Sequence, residues 1–291
     1  MLQSRGRSVR FRPTHPRTPS TRPEADDLVA STIYRARVDP YAWTWNEETL
    51  VLVPALAIAY GMAVRRSGAP RWRIGCFVVA ELLVLAFGVS PLHELALRYL
   101  LVVHLLQNVV LAEWAPLLLV LSLPPVLAGA LSRPPAVRAL TSPLVALPLW
   151  LANYALWHVP VAYDAALRRP HTLLHLEHLT YLATGVGMWW PVVHDVPRRL
   201  HAGARALYLF AGFVLAAPIG LVLALVPHAA YATYRDAPER LWGLSATADQ
   251  QLGGIAMAGE QAIVFFACFT FWFFRFLAEQ EHAPDDDPPH D

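Results

Sequence analysis

Several ionisable and amide side chains lie inside long apolar runs of this chain, and their spacing groups them. His104, Gln107 and Asn108 stand at i, i+3 and i+4, which puts all three on one face of a helix. His171, His175 and His178 stand at i, i+4 and i+7, again one face, with Glu177 between them on another. His158 closes an apolar run in Trp157-His158-Val159-Pro160, and Asp164 follows shortly after. Asp249, Gln250 and Gln251 open the last apolar run.

Imidazole nitrogens suit copper, zinc, iron and nickel, and a histidine set with few thiols fits copper or zinc. The candidate ligands are therefore His104, His158, His175 and His178. A ligating imidazole needs a partner for its second nitrogen. Gln107, Asn108, Asp164, Glu177, Asp249 and Gln250 are polar groups available for that role. The same side chains also suit hydrogen bonding between helices, worth about 0.6–2 kcal/mol each. Spacing alone leaves both readings open.

Three carboxylates lie deeper in their runs: Glu81, Glu113 and Glu260. On an ideal α-helix Glu113 is about 180° from His104, whereas Glu260 shares a face with Asp249. A proton or ion path and a neutral, hydrogen-bonded carboxyl are the two readings of these groups.

The elements that must position these residues are membrane helices. The chain has 291 residues, is 56% hydrophobic and only 15% charged, with mean hydropathy +0.38. Crossing ~30 Å of hydrocarbon takes about 20 apolar residues. Seven runs qualify, at 48–64, 74–90, 99–123, 143–161, 173–193, 206–226 and 252–277. Helix is expected for each, because an isolated strand leaves its backbone unsatisfied in lipid. The expected fold is an all-α polytopic membrane bundle of about seven transmembrane helices at residues 41–280. An N-terminal tail, 1–40, disordered or interfacial, and an acidic disordered tail, 281–291, flank it. The tail lacks the apolar core and cleavage site of a signal peptide. Pro116 and Pro218 are expected to kink their helices, and Gly185, Gly187, Gly253 and Gly254 to allow close helix approach.

Orientation follows from arginine in the short loops. Nine Arg fall after odd-numbered runs (Arg65, Arg66, Arg71, Arg73, Arg133, Arg138, Arg198, Arg199, Arg205) and five after even-numbered ones. That predicts the N-terminus outside and the C-terminus inside. Alternation of the spans then brings the starts of runs 3, 5 and 7 and the end of run 4 to one level, the extracytoplasmic one.

Other classes fit poorly. The net charge of +1 gives no case for nucleic acid. The chain contains no Lys, so neither a retinal Schiff base nor a P-loop lysine is available. Cys76 and Cys268 lie far apart in apolar runs, which disfavours a disulfide framework or thiolate site. No nucleophile–base motif or nucleotide loop is visible, and an enzyme is not expected.

A chain of short motifs carries a family resemblance. They are Ser90-Pro91-Leu92, His104-Leu-Leu-Gln107, Ala115-Pro116-Leu117-Leu118, Trp157-His158-Val-Pro160 and Tyr163-Asp164-Ala165-Ala166-Leu167. His175-Leu-Glu177-His178, Trp189-Trp190-Pro191-Val192, Leu244-Ser245 and Ala248-Asp249-Gln250-Gln251-Leu252-Gly253-Gly254 complete the order. Over about 40–277 the chain resembles the CtaG-type family of bacterial cytochrome c oxidase assembly factors, found with caa-type oxidases. The resemblance implies a multi-pass plasma-membrane protein working with oxidase subunits or other assembly factors, its suspected task the delivery or insertion of copper at the outer face. Three positions depart from the family pattern: Asn108 where a second His is common, Glu113 where the family is apolar, and Glu260-Gln261. Two other functions compete. One is a b-type haem carrier with axial ligands such as His104 and His175; the other is a metal or small-solute transporter using the deep carboxylates.

Overall fold

The computed structural model describes residues 39–237 and 239–281; the two tail expectations fall largely on residues outside these. Every regular element among the described residues is helical. In chain order, the principal helices are α1 (Glu47–Ser67), α2 (Arg71–Val89), α3 (Leu101–Ser122), α4 (Pro143–His158), α5 (Pro160–Arg168), α6 (His175–Val193), α7 (Ala202–Leu225), α8 (Ala232–Arg235) and α9 (Ala246–Glu281).

Helices α1, α2, α3, α7 and α9 are each long and apolar enough to cross a membrane. The α4–α5 pair passes only if counted together, and it is bent by 73° at the break. The cause is Pro160. A proline disfavours helical backbone in the residue before it, and Val159 is extended at φ −67°, ψ 125°. The helix of the fourth apolar run therefore ends at His158, the residue expected to close it, and the chain turns into α5. Helix α6 has spanning length but falls outside the set of sufficiently apolar helices, because it carries His175, Glu177, His178, Thr180, Tyr181 and Thr184. It tolerates them by being buried among the others: Glu177, His178, Tyr181, Met188 and Trp189 are all inaccessible.

Helix α3 is interrupted by a π-turn at Val110–Trp114, just before Pro116. Proline has no N–H to give the carbonyl four residues back, which is Ala112. The Trp150 indole N–H on α4 donates to that carbonyl at 3.2 Å instead. A π-turn also resets helical phase. The 180° separation of Glu113 from His104, taken from an ideal α-helix, does not carry past Val109.

Close approach fixes the α7–α9 pair. A Cβ at Gly254 would lie 2.6 Å from the Gly220 carbonyl oxygen, and one at Gly220 would lie 3.1 Å from that of Gly254. Helix α7 runs unbroken through Pro218.

Alternation of the helices gives the bundle two ends. The starts of α1, α3, α6 and α9 and the end of α4 form one, the histidine end. The loops after α1, α3 and α6 form the other, the arginine end.

Candidate functional site

Three buried imidazoles at the histidine end share one geometry. His178 Nδ1 lies 3.1 Å from the Glu48 carboxylate at the start of α1. His158 Nδ1 lies 2.8 Å from the Tyr154 carbonyl, one turn back on α4. His104 Nδ1 lies 2.9 Å from the Tyr234 hydroxyl on α8, and that hydroxyl itself donates to the Ala96 carbonyl. Each contact takes an N–H from Nδ1, so each ring, when neutral, carries its lone pair on Nε2. All three Nε2 atoms are buried and without a hydrogen-bond partner. Holding one ring nitrogen by its N–H while leaving the other bare is how proteins orient a metal-ligating histidine.

His104 Nε2 faces Glu177 Oε1 at 3.8 Å. The same oxygen accepts from the Asn108 amide at 2.9 Å, and Glu177 Oε2 has no partner. An imidazole lone pair opposite a carboxylate is two acceptors facing each other; a proton or a metal cation between them makes the contact favourable. Rings pack the cluster: His104 and Tyr163 centroids are 4.9 Å apart, and Tyr163 lies 4.1 Å from Tyr231. The Tyr163 hydroxyl is also buried and unpartnered.

His175 sits nearer the surface, its Nε2 4.0 Å from Glu48 Oε2. A cavity of about 200 Å³ opens there, lined among others by Asn46, His93, Glu94, His171 and His175. A smaller one of about 20 Å³ lies against Asn46, Glu48, Gln107 and His178. Asn46 borders both; it caps α1 by accepting from the Thr49 N–H at 3.3 Å and reaches His93 Nε2 at 3.4 Å. His93 lies in the short Pro91–Glu94 helix between spans, and its imidazole is pushed down to about 4 by burial first and then by His178, His104 and His175.

The four candidate histidines thus divide. His104 and His158 border Tyr163, while His175 and His178 share Glu48. Among the described residues no group of three or more His, Cys, Asp or Glu side chains is arranged to hold a metal ion. His104 and His175, paired in the haem reading, have different partners.

Three supporting residues serve the backbone instead. Asp249 accepts from the Leu101 and Val102 N–H groups at 2.7 and 3.0 Å, capping α3 from another helix. Asp164 accepts from the Ala232 and Thr233 N–H groups and the Thr233 hydroxyl, capping α8. Gln250 ties the Leu223 and His228 carbonyls and the Ala230 N–H, closing the end of α7. They hold α3, which carries His104, α8, which carries its partner Tyr234, and the end of α7 in place.

Glu48, His93 and the tyrosines were not singled out from sequence. Glu48 stands in the acidic first turn of α1, and its partner His178 is 130 residues away. The deep carboxylates also find partners. Gln261 donates to Glu113 at 2.7 Å and lies 2.9 Å from the Tyr154 hydroxyl, and the Trp114 indole donates to Glu260. The sequence departures at Glu113 and at Glu260-Gln261 are therefore one contact between α3 and α9.

Neither the curated proteins nor the solved structures yield a match to this chain. The family model for the cytochrome c oxidase caa3 assembly factor matches residues 57–279, which take in all four candidate histidines and every span except the start of α1 and the last two residues of α9. The chain belongs to the cytochrome c oxidase caa3 assembly factor (CtaG) family.

Proposed function

We propose that this chain assists cytochrome c oxidase assembly by handling copper at the histidine end of its bundle. The observation that carries the reading is the shared state of His104, His158 and His178: Nδ1 held by an oxygen, Nε2 bare and buried. The donors do not converge in threes. That favours copper over zinc as cargo, since protein zinc sites use three or four protein ligands, whereas Cu(I) accepts low coordination numbers. Separate, weakly chelating nitrogens suit an ion that is taken up and passed on.

On this reading the chain crosses the plasma membrane seven times, with α6 as a buried central crossing and the α4–α5 pair as one. The Arg distribution puts the N-terminus and the histidine end outside, where the copper of the oxidase is loaded. His93, His171 and His175 around the 200 Å³ cavity, with Glu48 beside His175, provide the approach from that side. Partners are oxidase subunits or other assembly factors, and the chain performs no covalent chemistry of its own.

The test is genetic. Deleting the gene should lower the amount of assembled oxidase and its copper content, and the wild-type gene should restore both while His178→Ala does not. Normal oxidase in the deletion strain overturns the proposal.

A further inference from the structure

At the arginine end a cavity of about 580 Å³ lies between the loop after α6, the start of α7 and the end of α9. Its lining carries the guanidinium groups of Arg199, Arg205 and Arg275, against the carboxylates Asp195 and Glu279. We infer that this cavity binds the phosphodiester headgroup of an anionic phospholipid.

The guanidinium at its base is prepared for an anion. Arg205 is buried in the first turns of α7 with its planar group 4.3 Å over the Trp272 ring. One of its terminal nitrogens donates to Asp195, but its buried Nε–H has no acceptor. A buried N–H on a charged group without an acceptor is costly. A phosphate oxygen in the cavity would satisfy it, and phosphate matches the fork of guanidinium donors. Asp195 is shared, since Arg199 Nε also lies 4.0 Å from it. Among the described residues Arg275 makes no ion pair; its guanidinium lies 5.9 Å from the Trp272 centroid. Three guanidiniums against two carboxylates leave the cavity positive.

Its position favours a lipid over a free anion. Helix α9 has 36 residues, about 54 Å of helix for ~30 Å of hydrocarbon. Trp272 and Arg275 fall in its last three turns, at the level where indole and guanidinium groups meet headgroups. Phe271 and Phe274, beside them in sequence, are exposed, giving apolar surface for acyl chains next to the charged cavity. Basic pockets between transmembrane helices on the cytoplasmic side are known lipid-headgroup sites, and the Arg count assigns this end to that side.

The probes are phosphatidylglycerol, phosphatidylcholine with the same acyl chains, and inorganic phosphate. Each is titrated against the full-length protein in detergent, with bound lipid read by native mass spectrometry and unfolding temperature alongside. Phosphatidylglycerol should bind in preference to phosphatidylcholine and raise the unfolding temperature. Arg275→Gln and Arg199→Gln should each weaken that binding about fivefold, while Glu279→Gln should strengthen it. Arg138→Gln, at the same end but outside this cavity, should leave it unchanged. Equal binding of the two lipids, or equal losses from Arg138→Gln and Arg275→Gln, overturns the proposal. Protection by inorganic phosphate equal to that by phosphatidylglycerol also overturns it, since the site would then be one for a free anion.

Discussion

At the histidine end, three imidazoles are buried with one nitrogen each left bare; at the arginine end, Arg73 and His194 are tied to main-chain carbonyls. Arg73 donates to the Leu121 and Leu123 carbonyls, both at 2.6 Å, closing the end of α3. His194, at the same end, reaches the Val120 carbonyl at 3.0 Å. These contacts satisfy main-chain groups that helix termini leave open. The bare nitrogens of His104, His158 and His178 have no such account. Unsatisfied buried polar atoms lower stability; the proposed copper role would give these three nitrogens a partner, as a lipid headgroup would for Arg205 Nε at the other end. On the proposed readings the histidine end meets copper through ring nitrogens, and the arginine end meets lipid through guanidinium groups.

The contrast can be broken most severely at Asp249. Asp249→Ala removes the acceptor for two N–H groups at the start of α3. A loss of about 3 kcal/mol is expected, read as a drop in unfolding temperature in detergent, and the histidine end should lose its order with it. Asp249→Asn, which keeps one acceptor, should lose less. A wild-type melting curve for Asp249→Ala would remove the capping role.

Arg73→Met is the matching lesion at the other end. It leaves two carbonyls that water at the interface can reach, so about 2 kcal/mol is expected, without loss of copper binding. Between the ends, Trp150→Phe strands the Ala112 carbonyl beside the π-turn. About 1 kcal/mol is expected there, shared by both ends.

A comparable effect is one of pH, and it should appear at both ends. His93 and His194 are each held down to about 4, chiefly by burial. His178, His104 and His175 lower His93 further; at His194 the charged neighbours are Arg73 and Arg205, which lower it, and Asp195, which raises it. Both folded values lie below the ordinary 6.5, so the unfolded chain binds more protons in that window. Stability is therefore complete above about 6.5 and falls as the pH drops toward 4. Between pH 7 and 5.5 each contributes about 1 kcal/mol of loss. His93→Gln and His194→Gln should each flatten the profile of unfolding temperature against pH, and an unchanged slope would count against their burial as neutral rings.

The helices were readable from the sequence because each is a long apolar run, and lipid permits little else. The end of α4 at His158 was readable as well, but the 73° turn into α5 was not, since the run over 143–161 says nothing of the direction taken after Pro160. Helix α6 shows the opposite difficulty. Its polar content, which sets it apart from lipid-facing helices, is satisfied by contacts that sequence does not display, such as Glu177 with Asn108. The candidate histidines were visible by spacing and depth. Their orienting partners were not, since Glu48, Tyr234 and the Tyr154 carbonyl come from separate segments or from the main chain. Asp164 and Asp249 were seen as polar groups at the right level, but residue type does not tell a backbone cap from a partner for imidazole. Glu113 and Gln261, 148 residues apart, each stood out as a departure from the family, and only the packing of α3 on α9 makes them one contact.

Copper retention by the purified protein tests the account most directly. Reduced protein is loaded with Cu(I) and competed against a chromogenic Cu(I) chelator. Wild type should hold copper, with His178→Ala and His104→Ala each weakening it by about tenfold or more and Arg275→Gln having no effect. Copper retention equal between wild type and a chain carrying His104→Ala, His158→Ala and His178→Ala together would contradict it.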